Sequence, residues 1–386
     1  MEEKGNRIGE ISANRISGEK NKEEYKKEEE NMWLWFCSIP GLYRNNKKAL
    51  LDYFGTPGEI FSAPQDELER LPCLGAQQRS ELLKLRRDWD GEKRMHMLEE
   101  RGIRFISHKS SAYPDRLREI YDFPYGLFVN GKLPSDQKPA AALVGARLCS
   151  SYGKHWAAVI AQDLAAAGVQ IVSGMARGVD GIAQKAAMDA GGESFAVLGC
   201  GTDLCYPQEN RRIYESLASK GGIISEYPPG TRPLPIHFPM RNRIISGLSD
   251  LIIVAEAKEK SGSLITADLG LEQGRDVIAV PGRTGDVLSV GCNSLIDQGA
   301  GIFISTGALL GRLDLGKTGV REIKKENIAL EREENLVYSV LEFQTKNLQI
   351  IADETGLSPQ AAGAALVRLM LRGMVTEDAK NFYSKV

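Results

Sequence analysis

Residues 141–180 read AALVGARLCSSYGKHWAAVIAQDLAAAGVQIVSGMARGVD. Two short, wholly apolar runs at 141–144 and 169–172 flank a segment of helical pattern over 154–167. Apolar runs of this length predict strands that are buried on both faces, and a helix between them predicts a parallel crossover. The stretch therefore predicts a β-α-β unit in which a glycine-containing turn follows each strand.

The same alternation of strands and helices continues toward the C-terminus. Further apolar runs occupy 195–198, 222–224, 251–254 and 277–280. Apolar strands that alternate with helices are typical of a mostly parallel sheet covered on both faces. We therefore expect residues 108–312 to form an α/β, Rossmann-like, doubly wound domain, with ligands bound at the carboxyl ends of its strands.

The rest of the chain differs in composition from this central part. Residues 1–31 are charged and aperiodic and predict a disordered tail, and Met32 is the expected natural start. Residues 32–107 predict an N-terminal helical domain of helix-hairpin-helix (SAM-like) type, for which a structural or protein-contact role is favoured over DNA binding. A charged linker, 313–332, precedes a C-terminal winged helix over 333–386.

Composition narrows the possible functions. The 386 residues carry a net charge of -2, so a nucleic-acid partner would need a local basic surface. The six cysteines form no CxxC pair and the four histidines are scattered, which predicts no metal site. The chain holds no apolar run of membrane-spanning length and no secretory signal pattern, so we expect a cytoplasmic protein without a membrane partner.

The turn after the first strand contains Gly145, Ala146 and Arg147 and leads into a helix that carries Lys154. Unpaired amides at a helix start favour an anion. Arg147 and Lys154 add positive charge, and no acidic residue lies near them in the sequence. The turn is also compatible with an ordinary strand-to-helix connection. Arg147→Ala is expected to weaken binding of a nucleic-acid strand and to reduce its salt dependence.

The turn after the second strand contains Ser173, Gly174 and Arg177, which together predict a second phosphate-sized turn. Asp180 follows, and we expect this side chain to cap the next helix rather than to act as a catalytic carboxylate.

Tyr206, Asn210 and Arg211 follow the third strand. The tyrosine ring could stack on a base while the other two side chains bond to bases or phosphates. Packing of the tyrosine in its turn, with solvated arginines, is the alternative.

Arg241, Asn242 and Arg243 stand in a segment without acidic residues. Arginine suits phosphate because its planar fork donates hydrogen bonds in pairs. The two arginines diverge on a helix, so one is expected to face the ligand and the other a carboxylate such as Glu226 or Glu256. The sequence leaves open which is which, and Arg241→Ala is also expected to weaken strand binding.

Ser261, Gly262, Ser263 and Thr266 follow the fifth of these strands and offer hydroxyls and amides to an anion, with helix capping as the simple alternative. Each such turn is weak evidence when taken singly. Their recurrence after successive parallel strands places them at one edge of the sheet, where they predict a groove for repeated phosphates.

At these residues the chain resembles the DNA-processing protein A (DprA/Smf) family, over roughly residues 33–386. The shared motifs are VGAR, SGMARGVD, LGCGTD with YP, FPMRNRIISGLSD, SGSLITADLGLEQGRD and GCNSLIDQGA. The resemblance implies an extended Rossmann-like fold, a homodimer and single-stranded DNA binding without a cofactor. It also implies recruitment of a RecA-type recombinase during natural transformation and no established catalytic turnover.

The family's DNA pocket is implied at positions that match its motifs. The matching residues are Gly145, Arg147, Ser173, Gly174, Arg177, Asn210, Arg241, Asn242 and Arg243. Ala146 departs from the family pattern, in which many members carry serine, so one hydroxyl contact is missing here.

Two other functions are compatible with parts of the sequence. A nucleotide-binding hydrolase similar to the phosphoribohydrolases would need a carboxylate in the cleft, for which Glu226, Glu256 and Glu272 are candidates. A transcription regulator would need a basic third helix in the winged domain, whereas 358–372 offers only Arg368 and Arg372. A protein-contact or dimer-arranging role is favoured for that helix.

Overall fold

The computed structural model describes residues 25–315, 330–342 and 345–385. These residues form two compact units. The first consists of the residues up to Gly131 together with Gly199–Leu204 and Ile224–Leu234, and the second of Lys132–Leu198, Cys205–Ile223 and the residues from Pro235 onward. The predicted domain boundaries at 107 and 312 do not coincide with this division and stay predictions.

The first unit is mainly helical and encloses an aromatic core. Its helices are α1 (residues 25–37), α2 (Arg44–Phe54), α3 (Pro57–Ser62), α4 (Gln65–Glu69), α5 (Ala76–Arg87), α6 (Gly91–Glu100) and α7 (Asp115–Arg118). Two antiparallel strands, β1 (Ile103–Ser107) and β2 (Gly126–Gly131), pair with each other. Trp35 and Phe36 are fully buried at the centre, because α1 turns its apolar C-terminal half toward the other helices.

Part of the predicted disordered tail is ordered. Residues 25–31 are helical within α1, and residues 1–24 lie outside the described residues. The Glu30 carboxylate accepts hydrogen bonds from the Ser107 amide (2.7 Å) and the Ser107 hydroxyl (2.5 Å). This tertiary contact fixes a segment whose composition alone predicts disorder.

The second unit is built on a parallel sheet, as the apolar runs predict. The strands that follow β2 are β3 (Ala140–Val144), β4 (Gln170–Ser173), β5 (Ser194–Leu198), β6 (Gly222–Ser225), β7 (Leu251–Val254), β8 (Asp276–Ala279) and β9 (Gly301–Ile302). Six of them lie in the spatial order β5-β4-β3-β7-β8-β9, and every pairing in that series is parallel. Strand β3 is therefore the switch point, where a doubly wound sheet binds ligands.

Helices cover both faces of this sheet. They are α8 (Ser151–Ala166), α9 (Val179–Asp189), α10 (Arg211–Lys220), α11 (His237–Gly247), α12 (Gly262–Glu272), α13 (Val290–Asp297) and α14 (Thr306–Arg312). Small residues such as Ala141, Ala157 and Ala161 are fully buried between α8 and the sheet. Their short side chains allow the helix to pack close to the strands, so the strand ends and helix starts that follow are held rigidly.

The C-terminal residues fold around a smaller core. Helices α15 (Arg332–Val340), α16 (Leu348–Thr355) and α17 (Pro359–Leu371) pack with an antiparallel sheet of β10 (Lys346–Asn347), β11 (Val375–Ala379) and β12 (Phe382–Lys385). Val337 of α15 and Leu341, directly after this helix, are buried in this core. Most of the predicted linker, residues 316–329, lies outside the described residues.

The cysteines are free thiols, three of them buried. Burial raises the pKa of Cys37 and of Cys292 to about 12, so both stay protonated at neutral pH. Among the helices described, none is both long enough and apolar enough to cross a membrane.

Candidate nucleic-acid interface

A cleft of about 550 Å³ opens where β3 and β7 end. Its walls come from the turns after β3 and β4, the loop after β5, the start of α11 and the segment that joins β7 to α12. The expectation that these turns meet at one edge of the sheet is therefore confirmed, because the carboxyl ends of parallel strands lie side by side.

Ten of the predicted site residues line this cleft: Gly145, Ala146, Arg147, Tyr206, Arg241, Asn242, Ser261, Gly262, Ser263 and Thr266. Gly174 and Arg177 line a small adjoining pocket of about 40 Å³ that shares Arg147 and Tyr206 with the cleft. Five others line neither space: Lys154, Ser173, Asn210, Arg211 and Arg243.

The turn that carries Arg147 is held at both ends by Glu256. The Ala146 amide donates to the Glu256 backbone oxygen (2.7 Å), and the Ser150 amide donates to the Glu256 carboxylate (2.8 Å). The Ser150 hydroxyl also donates to this carboxylate. Burial raises the pKa of Glu256 and the Ser150 bonds oppose that rise. Glu256, predicted as an arginine partner or a catalytic base, instead holds a turn that leaves Arg147 exposed.

Ser150→Ala is expected to lower the free energy of unfolding by about 1 kcal/mol more than Ser305→Ala, as measured by urea denaturation. Both serines cap a helix by accepting an amide hydrogen bond, at α8 and α14 respectively. Only Ser150 also donates to a buried carboxylate, whose lost hydrogen bond is costly. Equal losses in the two variants would contradict the role assigned to Glu256.

An aromatic pair with a neighbouring guanidinium lies on the cleft wall. The rings of Tyr206 and Phe238 have centroids 5.5 Å apart at an interplanar angle of 32°. The Arg147 guanidinium lies 5.8 Å from the Phe238 ring centroid. Because 43% of Tyr206 is exposed, its ring is accessible for stacking on a base.

Arg241 and Arg243 are both buried, and Arg241, the one that lines the cleft, also has a structural role. The Arg241 guanidinium donates to the carbonyl oxygens of Gly174 (2.9 Å) and Val197. It thereby ties the turn after β4 to the end of β5, while one side still lines the cleft. Arg243 donates to the Met240 carbonyl (3.3 Å) and does not line the cleft.

Asp180 does not cap helix α9, contrary to expectation. The cap position is Gly178, and the buried Asp180 carboxylate accepts from the Gly174 amide (3.1 Å). Burial raises the pKa of Asp180, and the positive charge of Arg241 opposes that rise. Because the Gly174 amide already has a partner, it does not form the predicted phosphate contact. Ser173 is likewise occupied, since its buried hydroxyl donates to the Leu143 carbonyl (2.6 Å).

The sequence of this edge is shared with known proteins. A family model described as DNA recombination-mediator protein A matches residues 104–314, more than half of the chain. The chain belongs to the DNA recombination-mediator protein A family.

Two relatives show how far the similarity extends. DNA processing protein DprA of Streptococcus pneumoniae is 47% identical over 194 residues, which are 50% of this chain and 68% of the relative. Protein Smf of Escherichia coli is 38% identical over 286 residues, which are 74% of this chain and 75% of the relative. The X-ray structure of the Streptococcus pneumoniae protein matches with a TM-score of 0.61 at 36% identity and covers 73% of this chain and 97% of that one.

Three further predicted site residues are engaged in internal contacts. The Asn210 amide donates to the carbonyls of Met175 (2.9 Å) and Ala176 (3.0 Å), so it stabilises the turn after β4. Arg177 forms an exposed ion pair with Glu209. Arg211 pairs with Glu215 one turn later on α10 (2.9 Å). Exposed ion pairs are weak, so Arg177 remains able to exchange its partner for a phosphate.

Three polar or aromatic residues of the cleft were not singled out from the sequence: Lys258, Lys260 and Phe238. Lys258 and Lys260 line it, and both are exposed. They precede the serine-glycine-serine run that was singled out, so the Lys-x-Lys spacing next to a helix start was the available signal. Phe238 was noted only as part of a motif, and its partnership with Tyr206 joins residues that are distant in the sequence.

Proposed function

We propose that this recombination-mediator family member binds single-stranded DNA in the cleft. One observation carries the proposal: Arg147, the Tyr206–Phe238 aromatic pair and the start of helix α12 line the same space. Cations and helix amides bind phosphates, whereas exposed rings stack on unpaired bases. Duplex DNA keeps its bases stacked inside the helix, so this combination favours a single strand.

The charges of the cleft support the same proposal. Its lining includes the exposed cations Arg147, Lys258 and Lys260 and, among the residues described, one carboxylate, Asp180. That carboxylate is buried and accepts the Gly174 amide, so its negative charge is not presented to a ligand. An incoming phosphate backbone therefore meets mostly positive charge.

Arg147→Ala is expected to weaken binding of a 20-nucleotide thymidine strand about tenfold at low salt. The slope of log affinity against log salt should also become shallower by about 0.7, the value for one lost phosphate contact on a single strand. Fluorescence anisotropy over a range of salt concentrations measures both quantities.

Lys185→Ala is the matched control for Arg147→Ala. Lys185 is also an exposed cation, but it pairs with Asp189 on α9 and lies outside the cleft. The Lys185→Ala variant should bind the thymidine strand with the affinity and the salt slope of the unaltered protein. Equal losses of affinity in both variants, or no loss in either, would contradict the assignment of the cleft as the DNA-binding site.

We further propose that the protein protects incoming DNA and loads a RecA-type recombinase onto it, acting as a cytoplasmic homodimer. The family description as a recombination mediator and the names of the DNA-processing relatives support this role. Sedimentation of the full chain would test dimer formation. Recombinase ATPase activity on a strand precoated with single-strand-binding protein would test loading, and unchanged ATPase activity after addition of this protein would count against it.

We propose that residues 333–386 form a winged helix that contacts protein. The two cations of its third helix, α17, are engaged by acidic residues of α15. Arg368 pairs with Glu334 (3.0 Å) and Glu333 (3.2 Å), and Arg372 also reaches Glu334 (3.4 Å). Cations that are already paired are poor readers of a major groove. Duplex binding by full-length protein that is abolished by Arg368→Ala would contradict this proposal.

Nucleotide hydrolysis receives less support from the same cleft. Glu256 holds the turn of Arg147, and the lining does not include Glu226 or Glu272. Asp180 is fixed by the Gly174 amide, so it is poorly placed to activate water. Release of ribose 5-phosphate from AMP, lost in Asp180→Asn, would reverse this preference.

A further inference from the structure

A second cavity lies within the first, mainly helical unit and shares no lining residue with the DNA cleft. Its volume is about 370 Å³, within the roughly 300–1,000 Å³ usual for small-ligand sites. Leu34, Leu98 and Phe128 line it with buried side chains, whereas Trp89 is half-buried and Met97 is exposed. This space, which we name the α6 cavity, is therefore apolar in its depth and reaches the protein surface at Met97.

Helix α6 and the residue that follows it contribute two guanidinium groups to the α6 cavity. Arg94, Met97, Leu98 and Arg101 all line it, and Arg101 directly follows the last residue of the helix. Residues three, four and seven positions apart lie on the same face of a helix, so these four form one stripe. At 1.5 Å per residue the two arginines are separated by roughly 10 Å along the helix axis. The positive charges therefore lie on either side of the apolar surface formed by Met97 and Leu98.

Both guanidinium groups keep hydrogen-bond donors for a ligand. The Arg94 guanidinium carbon lies 5.7 Å from the Trp89 ring centroid, and stacking of this kind does not occupy N–H groups. The Arg101 guanidinium donates to the Asp203 carboxylate (3.2 Å), which also accepts the amide of Gly230 in the cavity wall (2.8 Å). A guanidinium has five N–H donors, so this bond fixes the position of Arg101 and still leaves it able to pair with a carboxylate of a ligand.

The other polar groups of the α6 cavity are few and mostly satisfied. The Thr231 hydroxyl donates to the Pro228 carbonyl (2.7 Å), and the Trp89 indole donates to the Asn31 side chain (3.3 Å). All of the lining residues belong to the part of the chain that the structure describes, and none of them is acidic. A ligand that complements these walls has an apolar body and negative charge at two points.

We propose that the α6 cavity binds an acidic peptide segment of a partner protein, which inserts an aromatic or large aliphatic side chain between two carboxylates. The guanidinium fork pairs with a carboxylate through two parallel hydrogen bonds. An extended peptide advances about 3.3–3.6 Å per residue, so carboxylates three positions apart match the spacing of Arg94 and Arg101. Met97 has a flexible side chain that can adapt to the inserted group. The inference goes beyond DNA binding and gives a specific form to the protein-contact role expected of the N-terminal helical domain.

A nucleic-acid strand fits the α6 cavity less well than a peptide. Asp88 and Asp90 lie between α5 and α6, and both are exposed. Glu99 and Glu100 end α6 and are also exposed. A polyanionic strand that passes over this surface meets these carboxylates, whereas a short peptide needs to approach only the two arginines. The apolar walls would also leave the polar edges of a base without partners, so charge and polarity both favour the peptide.

Three peptides, labelled with fluorescein and amidated at the C-terminus, test the two parts of the proposal on the full-length protein. Their sequences are DLFD, NLFN and DSSD, so the second lacks the carboxylates and the third lacks the apolar side chains. We expect DLFD to bind about tenfold more tightly than either of the others, because each of these has lost one of the two interactions. Fluorescence anisotropy measures the three affinities.

Two substitutions at exposed positions test which residues recognise the peptide. Arg94→Ala should weaken DLFD binding about fivefold through loss of a charge-assisted pair, and Met97→Glu about tenfold, because it places a carboxylate between the two arginines. Arg70→Ala is the matched control and should leave DLFD binding unchanged, since Arg70 is an exposed arginine that pairs with Asp66 on α4 and does not line the cavity. Thermal melting of each variant shows whether the fold is intact.

The outcomes separate this inference from the proposed DNA binding. Equal binding of DLFD and NLFN, equal binding of DLFD and DSSD, or no binding of DLFD overturns the assignment of an acidic peptide. Equal loss of DLFD binding in Arg94→Ala and Arg70→Ala overturns it as well. The affinity for the 20-nucleotide thymidine strand should be the same in Arg94→Ala as in the unaltered protein. Weaker strand binding by Arg94→Ala would instead assign the α6 cavity to nucleic acid.

Discussion

Arg241→Ala is expected to lower the free energy of unfolding by about 3–5 kcal/mol, the range for removing one partner of a buried charge pair. The Arg241 guanidinium donates to the carbonyls of Gly174 and Val197 and lies close enough to Asp180 to lower the pKa of that carboxyl. The variant leaves both carbonyls and the carboxylate without this partner. Urea denaturation of the full-length protein measures the loss.

The loss caused by Arg241→Ala should depend on pH. Burial already raises the pKa of Asp180, and removal of the arginine raises it further above its unfolded value. The native state of the variant then binds a proton more readily than the unfolded state, so its stability falls as pH rises. We therefore expect a smaller loss near pH 5 than near pH 8.

A double variant separates charge from packing at this site. Asp180→Asn on the Arg241→Ala background removes the uncompensated carboxylate and should recover part of the lost stability, while also removing most of the pH dependence. An unfolding free energy for Arg241→Ala within about 1 kcal/mol of the unaltered protein would contradict the structural role assigned to Arg241. Weakened DNA binding at unchanged stability would restore the original expectation that Arg241 acts on the ligand.

Gly178→Ala is the second substitution from which we expect a large effect, about 3 kcal/mol or more in unfolding free energy. Gly178 has φ 72° and ψ −131°, a conformation that residues with a Cβ rarely adopt. A Cβ there would also overlap the carbonyl oxygen of Ala146 and lie 2.6 Å from that of Arg147. The substitution therefore pushes the turn after β4 against the turn that carries Arg147.

Gly168→Ala is the matched control, since Gly168 also has a positive φ, 87°, but a Cβ there meets no neighbour within 4 Å. Gly168→Ala should lower the free energy of unfolding by about 1–2 kcal/mol, the cost of backbone strain alone, and leave DNA binding unchanged. Gly178→Ala should in addition weaken binding, because it displaces Arg147. Denaturation and anisotropy measured on both variants check the prediction, and equal costs at the two positions would show that the packing between the turns is unimportant.

Much of the cleft could be predicted because its parts are local in the sequence. A strand that ends in a glycine turn before a helix can be recognised within about ten residues, as at Gly145 and Ser261. Parallel strands bring their carboxyl ends to one edge, so the convergence of these turns followed from the fold class. Contacts between residues distant in the sequence could not be predicted: Tyr206 packs against Phe238, and Asn210 donates to the Met175 carbonyl.

The sequence by itself determined the alternation of strands and helices, the turns that follow β3, β4 and β7, and the family, because each depends on the order and spacing of nearby residues. Only the tertiary structure decided which polar groups are free to bind a ligand. Ser173, the Gly174 amide and Arg241 resemble phosphate contacts in the sequence, yet they are engaged by Leu143, Asp180 and the backbone. Arg147, by contrast, is exposed in the cleft. Hydrogen-bond partners come from different strands, so a local pattern identifies a donor but not whether folding has already satisfied it.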